Sequence, residues 1–325
     1  SRLSAGACRS RAALSDERAL SRADLMIDNF LLLFDYPVLS ADLALNGLLI
    51  GAVFVLAAFG MALVWGVLNI INIVQGEFVM LGGFVALMAA EAGLPVLLGI
   101  PIAALALFML GWGLYRLVIF RVIDRDLFVS VLATFGLSIV LQQLSNELFG
   151  ADVRTLEAGL GTLLLFDGAV ALAQIKVLAF FLALGLGLLL WLFLKYSRLG
   201  QAIRATAQNP RAASILGIDT DRVYAATYAL NAALCGAAGA LVVMAWAIHP
   251  YIGLPYTVRS FLIVIVAGVG NIGAVVAAGL GLGAFENVAG FIFGTEYQIA
   301  LVFLLMVAVL VWRNLRLQRK RMYLK

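Results

Sequence analysis

Charged residues are scarce in this chain of 325 residues. They make up 12% of the sequence, whereas hydrophobic residues make up 64%, and the mean hydropathy is +1.07. Soluble domains are close to half apolar and about a quarter charged. A water-soluble fold of this length has too little interior to bury so much apolar surface. The composition therefore excludes a soluble globular domain and indicates a membrane protein.

The residues that usually hold metals or form disulfides are also rare. The chain has two cysteines, Cys8 and Cys235, and a single histidine, His249. Their spacing contains no disulfide framework and no metal-binding cluster. A phosphate-binding loop of the form GxxxxGK[ST] is missing as well, so any ATP hydrolysis belongs to another polypeptide. We therefore expect no catalytic residue, no metal and no cofactor in this chain.

What the sequence does contain is a series of long apolar runs. A helix needs about 20 apolar residues to cross a hydrocarbon core, and runs of that order recur throughout. Their approximate bounds are 41–65, 73–92, 95–116, 128–150, 174–195, 222–248, 258–269, 272–293 and 296–312. These runs predict an all-α, polytopic integral membrane protein with eight or nine transmembrane segments, two of them interrupted.

Basic residues fall unevenly between these runs. The connections 116–127 and 195–222 and the tail after Trp312 are rich in arginine and lysine, whereas 151–173 contains one arginine and three acidic residues. Basic connections stay in the cytoplasm. We therefore expect a multi-pass protein of the bacterial inner membrane with a cytoplasmic C-terminus. Because the net charge of +4 arises at these span ends, it gives no indication of nucleic-acid binding.

Residues 1–25 precede the apolar part of the chain. They contain five arginines, three acidic residues and no apolar run. A signal peptide would need an apolar stretch of its own. We interpret residues 1–25 as a disordered upstream extension, Met26 as the natural start, and residues 26–325 as one transmembrane domain. A chain that starts at Met26 is expected to retain function.

Two stretches are too broken for a simple membrane-spanning helix. One runs from Trp65 to Gly82. The other covers 258–273, where an apolar helix of about a dozen residues is too short for the hydrocarbon core. Each follows a glycine- and alanine-rich helix, one in each half of the chain. Paired interruptions point to a transport pathway at a repeat interface, and we expect 66–76 and 268–273 to meet near the bilayer midplane.

The candidate pathway residues lie in these two stretches. They are Asn69, Asn72, Gln75, Gly76, Glu77, Gly268, Gly270 and Asn271. Free N–H groups at helix starts suit an anionic group in transit, and free carbonyls suit a cationic one. The amides have the alternative role of satisfying backbone groups that the break leaves free, and Glu77 that of capping a helix start. Glu286, inside a span, either bonds to a neighbouring helix or contacts substrate.

The basic connection 195–222 is long but not of low complexity. Small apolar residues, mostly alanine, recur along it. Pro210 is placed to begin a second short helix and Gly217 to end it. One interpretation is an amphipathic loop on the membrane surface. The other is a short helix that docks into a groove on a cytoplasmic partner.

Three ordered stretches make the chain similar to a known family. They are RATAQNPRAASILGIDTDRV, NIINIVQGEFVMLGGF and the run from HPYIG through AGVGNIGAVVAAGLGLGAFEN to GTEYQIALVFLLMVAVLV. The chain resembles the H-type permease subunit of branched-chain amino-acid ABC importers over about residues 28–312. The resemblance implies several partners: a second related permease, two cytoplasmic ATPase subunits that bind ATP and magnesium, and a periplasmic substrate-binding protein.

The resemblance also implies roles for residues of the coupling loop, 198–222. The matching positions are Arg204, Ala205, Ala207, Gln208, Asn209, Pro210, Ala213 and Gly217. Gln208 stands where the family often has an acidic residue, and Gln75 where it often has histidine. The implied substrate is a branched-chain or related amino acid. Urea or a short amide within the same family, and a stand-alone secondary transporter or channel outside it, are the alternatives; whether the two permeases are identical also stays open.

Overall fold

The computed structural model describes residues 26–123, 125–156, 159, 161–165, 170–268 and 270–322, so the interpretation of residues 1–25 lies outside the described part of the chain. Helices form most of the described chain, which confirms the all-α class. They are α1 (26–35), α2 (Pro37–Leu68), α3 (Gln75–Glu91), α4 (Gly99–Leu117), α5 (Leu127–Phe149), α6 (Gln174–Tyr196), α7 (Arg198–Gln208), α8 (Pro210–Ile215), α9 (Thr220–Ala245), α10 (Gly253–Ala267), α11 (Ile272–Phe293) and α12 (Gln298–Met322). Two short antiparallel strands, β1 (Thr162–Leu165) and β2 (Val170–Ala173), were not predicted.

All nine predicted apolar segments correspond to helices. Within the described residues, seven helices are long and apolar enough to cross a membrane: α2, α4, α5, α6, α9, α11 and α12. The other two segments are the shorter helices α3, with 17 residues, and α10, with 15. At ~1.5 Å per residue these helices extend only about 23–26 Å. The prediction of a polytopic membrane protein is confirmed.

The bundle is organised around α2 and α9, which are buried over most of their length, whereas α4, α5, α6 and α12 expose large apolar side chains. Glycines bring neighbouring helices into close contact with this centre. A Cβ on Gly51 of α2 would lie 2.7 Å from the Gly279 carbonyl oxygen of α11, and a Cβ on Gly111 of α4 would lie 2.6 Å from the Ala232 Cβ of α9. Small residues allow such an approach in lipid, and the exposed apolar faces suit hydrocarbon chains.

The two ends of the bundle carry different elements. We call the end with α7 and α8 the basic end, and the end with β1 and β2 the strand end. α2 starts at the strand end, where the Asp42 carboxylate accepts a hydrogen bond from the Ala171 N–H of β2 (3.3 Å). It ends at the basic end, where Gly66 and Lys195 line the same cavity.

The short helix α3 begins in the middle of the bundle. Residues 69–74 fold back from the basic end of α2, so that the Gln75 Nε2 donates to the Ala57 carbonyl midway along α2 (2.7 Å). From there α3 runs to the strand end, where Glu91 pairs with Arg154 (3.7 Å). Helix α3 therefore extends only from the middle of the bundle to the strand end.

The short helix α10 is arranged in the opposite sense. Residues 246–252 fold back from the strand end of α9, and α10 starts beside the start of α3. It runs to the basic end, where the Phe261 ring stacks on Trp65 (5.0 Å) and the Ile265 carbonyl accepts from Arg313 Nη1 (2.8 Å).

The chain thus contains an inverted repeat. Helices α2 to α5 form one unit and α9 to α12 the other, and each helix of the second unit runs opposite to its counterpart. The packing shows the same relation between the units. Helix α4 of the first unit lies along α9 of the second, and α11 of the second unit lies along α2 of the first. Inverted repeats with interrupted helices at mid-membrane are a recurrent construction of transporters.

The second interruption differs from the expectation. The sequence predicted a broken stretch over 258–273, but α10 occupies most of it and the fold-back lies before it. α9 ends because Trp246 adopts an extended conformation (φ −144°, ψ 175°). Pro255 falls in the first turn of α10, where its missing N–H costs nothing. The predicted glycine turn does end α10, with Gly268 and Gly270 at φ values of +78° and +92°.

Candidate functional site

The starts of α3 and α10 touch each other at the centre of the bundle. The Gly76 N–H donates to the Thr257 hydroxyl (2.8 Å), and this hydroxyl donates to the Ile73 carbonyl (3.0 Å). A Cβ on Gly76 would overlap the Gly253 carbonyl oxygen. We call Ile73, Gly76, Gly253 and Thr257 the central joint. The backbones of α3 and α10 are in direct contact there. The Thr257 hydroxyl of α10 bonds both to Ile73, just before α3, and to Gly76, in its first turn.

Two of the predicted pathway amides, Asn72 and Gln75, lie beside the central joint and are fully buried. Gln75 Nε2 contacts Cys235 Sγ of α9 (2.9 Å) in addition to the Ala57 carbonyl. Asn72 accepts from the Tyr228 hydroxyl (3.3 Å) and donates to Gln75 Oε1 (3.4 Å). These bonds tie the fold-back to both central helices. Their partners are other side chains and a carbonyl within α2, not backbone groups of the fold-back, and a role of these amides in the pathway stays a prediction.

Glu77 is buried between two helix starts. It belongs to the first turn of α3, and a Cβ on Gly253, the first residue of α10, would lie 2.5 Å from its Oε1. Its Oε1 accepts from the Ser138 hydroxyl of α5 (3.0 Å). Helix N-termini carry partial positive charge, so two of them favour a carboxylate at this position. The carboxylate nevertheless caps neither helix, because the starts of α3 and α10 have no side-chain cap bond and Oε2 has no hydrogen-bond partner among the described residues. A pathway role for Glu77 stays a prediction.

The other predicted pathway residues lie elsewhere. Asn69 ends α2 in the left-handed conformation (φ 54°) and is exposed. Gly270 and Asn271 are exposed at the basic end, where the Asn271 side chain accepts from the Ala274 N–H (3.1 Å) and caps α11. The structure therefore brings Asn72, Gln75, Gly76 and Glu77 together and leaves Asn69, Gly268, Gly270 and Asn271 outside that group.

The coupling loop forms two capped helices at the basic end. Ser197 accepts from the Gly200 N–H (2.8 Å) at the start of α7, and Asn209 accepts from the Ala212 N–H (3.0 Å) at the start of α8. Pro210 is the first residue of α8, and Gly217 follows the helix with φ +85°. The predicted helix start and end are confirmed. Side-chain caps fix both helices at their N-termini.

The faces of these two helices are clearly divided. Ile203, Thr206 and Ala213 are buried against the bundle. Arg204 turns back to the Lys195 carbonyl (3.2 Å), Ala205 is partly exposed, and Ala207, Gln208, Asn209 and Pro210 are exposed. Ile215 and Leu216, at the tip, expose 85% and 80% of their surface. The loop thus presents an apolar tip on a rigid base.

A cavity of ≈ 460 Å³ is lined both by coupling-loop residues and by some of the predicted pathway residues. Its lining includes Arg204 and Ala207 of α7, Gly66 of α2, and Gly270 and Asn271 at the start of α11. The coupling loop and the 268–271 turn therefore share one mainly apolar chamber at the basic end. A movement of α7 would change the shape of this chamber directly.

One buried charged residue, Arg259, was missed in the sequence. It lies in α10 and forms an ion pair with Glu286 of α11, through Nε (3.1 and 2.9 Å) and through a shorter contact from Nη2. The side chains expose only 13% and 7% of their surface. The expectation that Glu286 bonds to a neighbouring helix is confirmed. The available signal was an arginine within the apolar run TVRSFLIVIVA, the type of residue that marks a function when it lies within the membrane.

Comparison with known proteins agrees with this architecture. The family profile described as "Branched-chain amino acid transport system / permease component" matches residues 43–310. The permease protein LivH of the high-affinity branched-chain amino acid transport system of Salmonella typhimurium is 31% identical over 283 residues, 82% of this chain and 91% of LivH. BraD of Pseudomonas aeruginosa, described in the same terms, is 30% identical over 284 residues, 82% of this chain and 92% of BraD.

A more distant relative is also similar over most of the chain. The probable branched-chain amino acid transport permease protein LivH of Methanocaldococcus jannaschii is 26% identical over 276 residues, covering 79% of this chain and 85% of that protein. No solved structure matches the chain significantly. Because the family profile and the relatives cover most of the chain, including the fold-backs and the coupling loop, the chain belongs to the family of branched-chain amino acid transport permeases.

Proposed function

We propose that this chain is the membrane-spanning subunit of an ATP-driven importer of branched-chain amino acids. It works with a second related permease, two cytoplasmic ATPase subunits and a periplasmic substrate-binding protein. The names of LivH and BraD, which are similar over 82% of the chain, support this class of substrate. The inverted repeat supports a transport role on physical grounds.

The observation that carries the proposal is the apolar tip of the coupling loop. Ile215 and Leu216 are almost fully exposed, yet the helix beneath them is capped and anchored by Ala213. Apolar side chains held rigidly in water mark a docking surface. A short helix of this kind fits a groove on a partner protein, and the ATPase is the partner that an importer needs there.

The proposal also gives the coupling loop a way to act on the pathway. Ile203 and Thr206 fix α7 to the bundle, and Arg204 and Ala207 line the basic-end cavity together with Gly270. When an ATPase displaces α7, this cavity changes its shape. We therefore place the cytoplasmic part of the pathway along Gly270 and Asn271, and the central joint with Asn72, Gln75 and Glu77 at its inner limit.

The charge distribution sets the orientation of the proposed importer. Because connections rich in arginine and lysine remain in the cytoplasm, the basic end with α7 and α8 faces the cytoplasm. The strand end then faces the periplasm, where a binding protein delivers its substrate. α12 runs toward the basic end, so its C-terminal end is cytoplasmic.

Gly217→Leu tests the coupling surface, and Gly93→Leu is its matched control. Both glycines have positive φ, +85° and +84°, and a Cβ on either would meet nothing within 4 Å. The strain of a left-handed leucine, about 1–2 kcal/mol, is therefore similar at the two sites. Gly93 lies at the strand end, after α3, far from any proposed ATPase.

We expect Gly217→Leu to lower leucine uptake and transport-dependent ATP hydrolysis about tenfold or more, while Gly93→Leu stays close to wild type. Uptake of radiolabelled leucine, in cells that express all subunits, measures the effect. Membrane content of each variant is followed by immunoblot. Normal uptake by Gly217→Leu at equal membrane content would contradict the assignment of the docking surface.

A further inference from the structure

A second cavity lies on the periplasmic side of the central joint. Its volume is ≈ 160 Å³, and its lining includes Arg259 and Glu286 together with Ile50, Phe54, Trp246 and Tyr256. This volume corresponds to about five water molecules at ~30 Å³ each. The amide side chains of Asn287 and Gln298 also line it. The chamber therefore combines one ion pair with aromatic, aliphatic and amide side chains, in a space suited to a small molecule.

The ion pair is expensive in this position. Two charges removed from water in a membrane protein lose hydration that their mutual attraction only partly restores. An apolar pair of similar volume would hold α10 and α11 together equally well. The cost of the pair therefore calls for a function other than helix packing.

The arginine is held in place independently of its acidic partner. Its guanidinium lies 4.9 Å from the centre of the Phe54 ring and 5.4 Å from that of Tyr256, and these rings meet edge to face at 5.8 Å. Cation–π contacts of this kind attract a guanidinium. Glu286 can therefore turn away while Arg259 keeps its position. A guanidinium also has five N–H donors, whereas a carboxylate has about four acceptor positions, so Glu286 alone cannot accept from every donor of Arg259.

We propose that Arg259 and Glu286 form a binding site for an amino acid in transit, with Arg259 holding its α-carboxylate and Glu286 its α-ammonium. This inference rests on the proposed function. The substrate enters between the two side chains, and the internal ion pair is exchanged for two ion pairs with the substrate. No bond is formed or broken, and no proton is transferred.

The exchange selects zwitterions. An amino acid supplies one charge of each sign, so neither Arg259 nor Glu286 is left unpaired when their own contact opens. A carboxylic acid would leave Glu286 buried without a partner, and an amine would leave Arg259 buried without a partner. Removing one partner of a buried pair costs about 3–5 kcal/mol. Urea and short amides carry no charge, so they cannot replace either partner in the ion pair.

One part of the cavity wall fits a branched aliphatic side chain. Ile50 and Phe54 of α2 and Trp246 after α9 provide apolar surface beside the charged pair. Gly283 of α11 also lines the cavity, and its lack of a side chain lets α11 approach the α2 backbone at Gly47 and Gly51. Small-molecule sites combine such apolar walls with a few polar groups that fix orientation.

The test uses the full chain in lipid nanodiscs and leucine as the probe. Saturation-transfer NMR detects weak binding, which is what a transit site requires. We expect a leucine signal from the wild-type chain, and a signal at least about tenfold weaker with 4-methylpentanoate, which lacks the ammonium, and with 3-methylbutylamine, which lacks the carboxylate. Equal signals from either analogue would overturn the proposal without the need for a variant.

The variants Arg259→Gln, Glu286→Gln and the double variant separate binding from packing. Each single variant leaves one buried charge unpaired and should lower the melting temperature. The double variant removes both charges, and its melting temperature should return toward wild type. We expect it nevertheless to lose the leucine signal and, with all subunits present, about 90% of leucine uptake.

The outcomes distinguish this inference from the proposed function. A double variant that binds and takes up leucine like wild type would show that the pair only joins two helices, and the importer assignment would stand. Failure of the wild-type chain to take up leucine, with all partner subunits present, would overturn the proposed function itself.

Discussion

At the scale of single residues, Gly76 and Gly253 determine how closely α3 and α10 approach. A Cβ on Gly76 would overlap a backbone atom of Gly253, and backbone cannot move aside as a side chain can. The requirement is therefore for absence of volume and not for backbone freedom, since neither glycine has positive φ. The sequence contains 32 glycines, and composition alone does not indicate which of them bear such a contact.

Gly76→Ala should destabilise the protein, whereas Gly113→Ala in α4 should not. A Cβ on Gly113 would meet nothing within 4 Å, and alanine favours the helix there. Overpacking at Gly76 costs about 1–3 kcal/mol. Thermal unfolding in detergent, followed by intrinsic fluorescence, is expected to show a lower melting temperature for Gly76→Ala alone. Equal melting temperatures would mean that the joint is looser than the structure indicates.

The residues of the candidate sites were predictable to different degrees. Pro210 and Gly217 were recognised because helix starts and ends depend on local chemistry. The ion pair between Arg259 and Glu286 was not, because its members are 27 residues apart and meet only when α10 lies against α11. Arg259 resembles an ordinary basic residue at the end of a span until its aromatic neighbours are known.

At the scale of elements, the short helices α3 and α10 follow from the sequence while their connection does not. Hydropathy located all nine segments because lipid selects apolar runs. It placed the second interruption after α10, whereas the structure has it at 246–252, before this helix. Hydropathy reports composition, but the direction of a fold-back depends on which partners satisfy its backbone groups. Thr257 is one such partner, and it lies more than 180 residues from Ile73.

Thr257→Val should weaken the contact between α3 and α10. Valine keeps the shape of threonine but leaves the Gly76 N–H and the Ile73 carbonyl without this partner. An unsatisfied buried backbone group costs about 1–3 kcal/mol. We expect a lower melting temperature and reduced leucine uptake for Thr257→Val, and near-normal values for Thr257→Ser, which keeps the hydroxyl. If Val and Ser behave alike, the hydroxyl does not contribute.

At the scale of the whole molecule, the inverted repeat requires that the two ends face opposite sides of the membrane. The uneven distribution of arginine and lysine predicts which end faces the cytoplasm, because charge is the property that insertion senses. The repeat itself could be expected only from the paired interruptions. Its two units share the order and the packing of their helices, with every direction reversed, and not an obvious sequence pattern.

Single cysteines can establish the orientation. Val153, at the strand end, and Leu216, at the basic end, expose 65% and 80% of their surface. In a chain whose Cys8 and Cys235 are replaced by alanine, Val153→Cys should react with a membrane-impermeant maleimide applied from the periplasmic side. Leu216→Cys should react only after the membrane is permeabilised. The reverse pattern would contradict a cytoplasmic coupling loop.

The central joint has a mechanical consequence. Contact between the backbones of Gly76 and Gly253 leaves no compressible layer between the two repeats, so the joint is suited to act as a pivot. The cavity of ≈ 460 Å³ lies on one side of this pivot and the cavity of ≈ 160 Å³ on the other. Rocking about a fixed point narrows one chamber as it widens the other. A displacement of α7 that narrows the larger cavity would then widen the smaller cavity around Arg259 and Glu286, and the reverse displacement would narrow it.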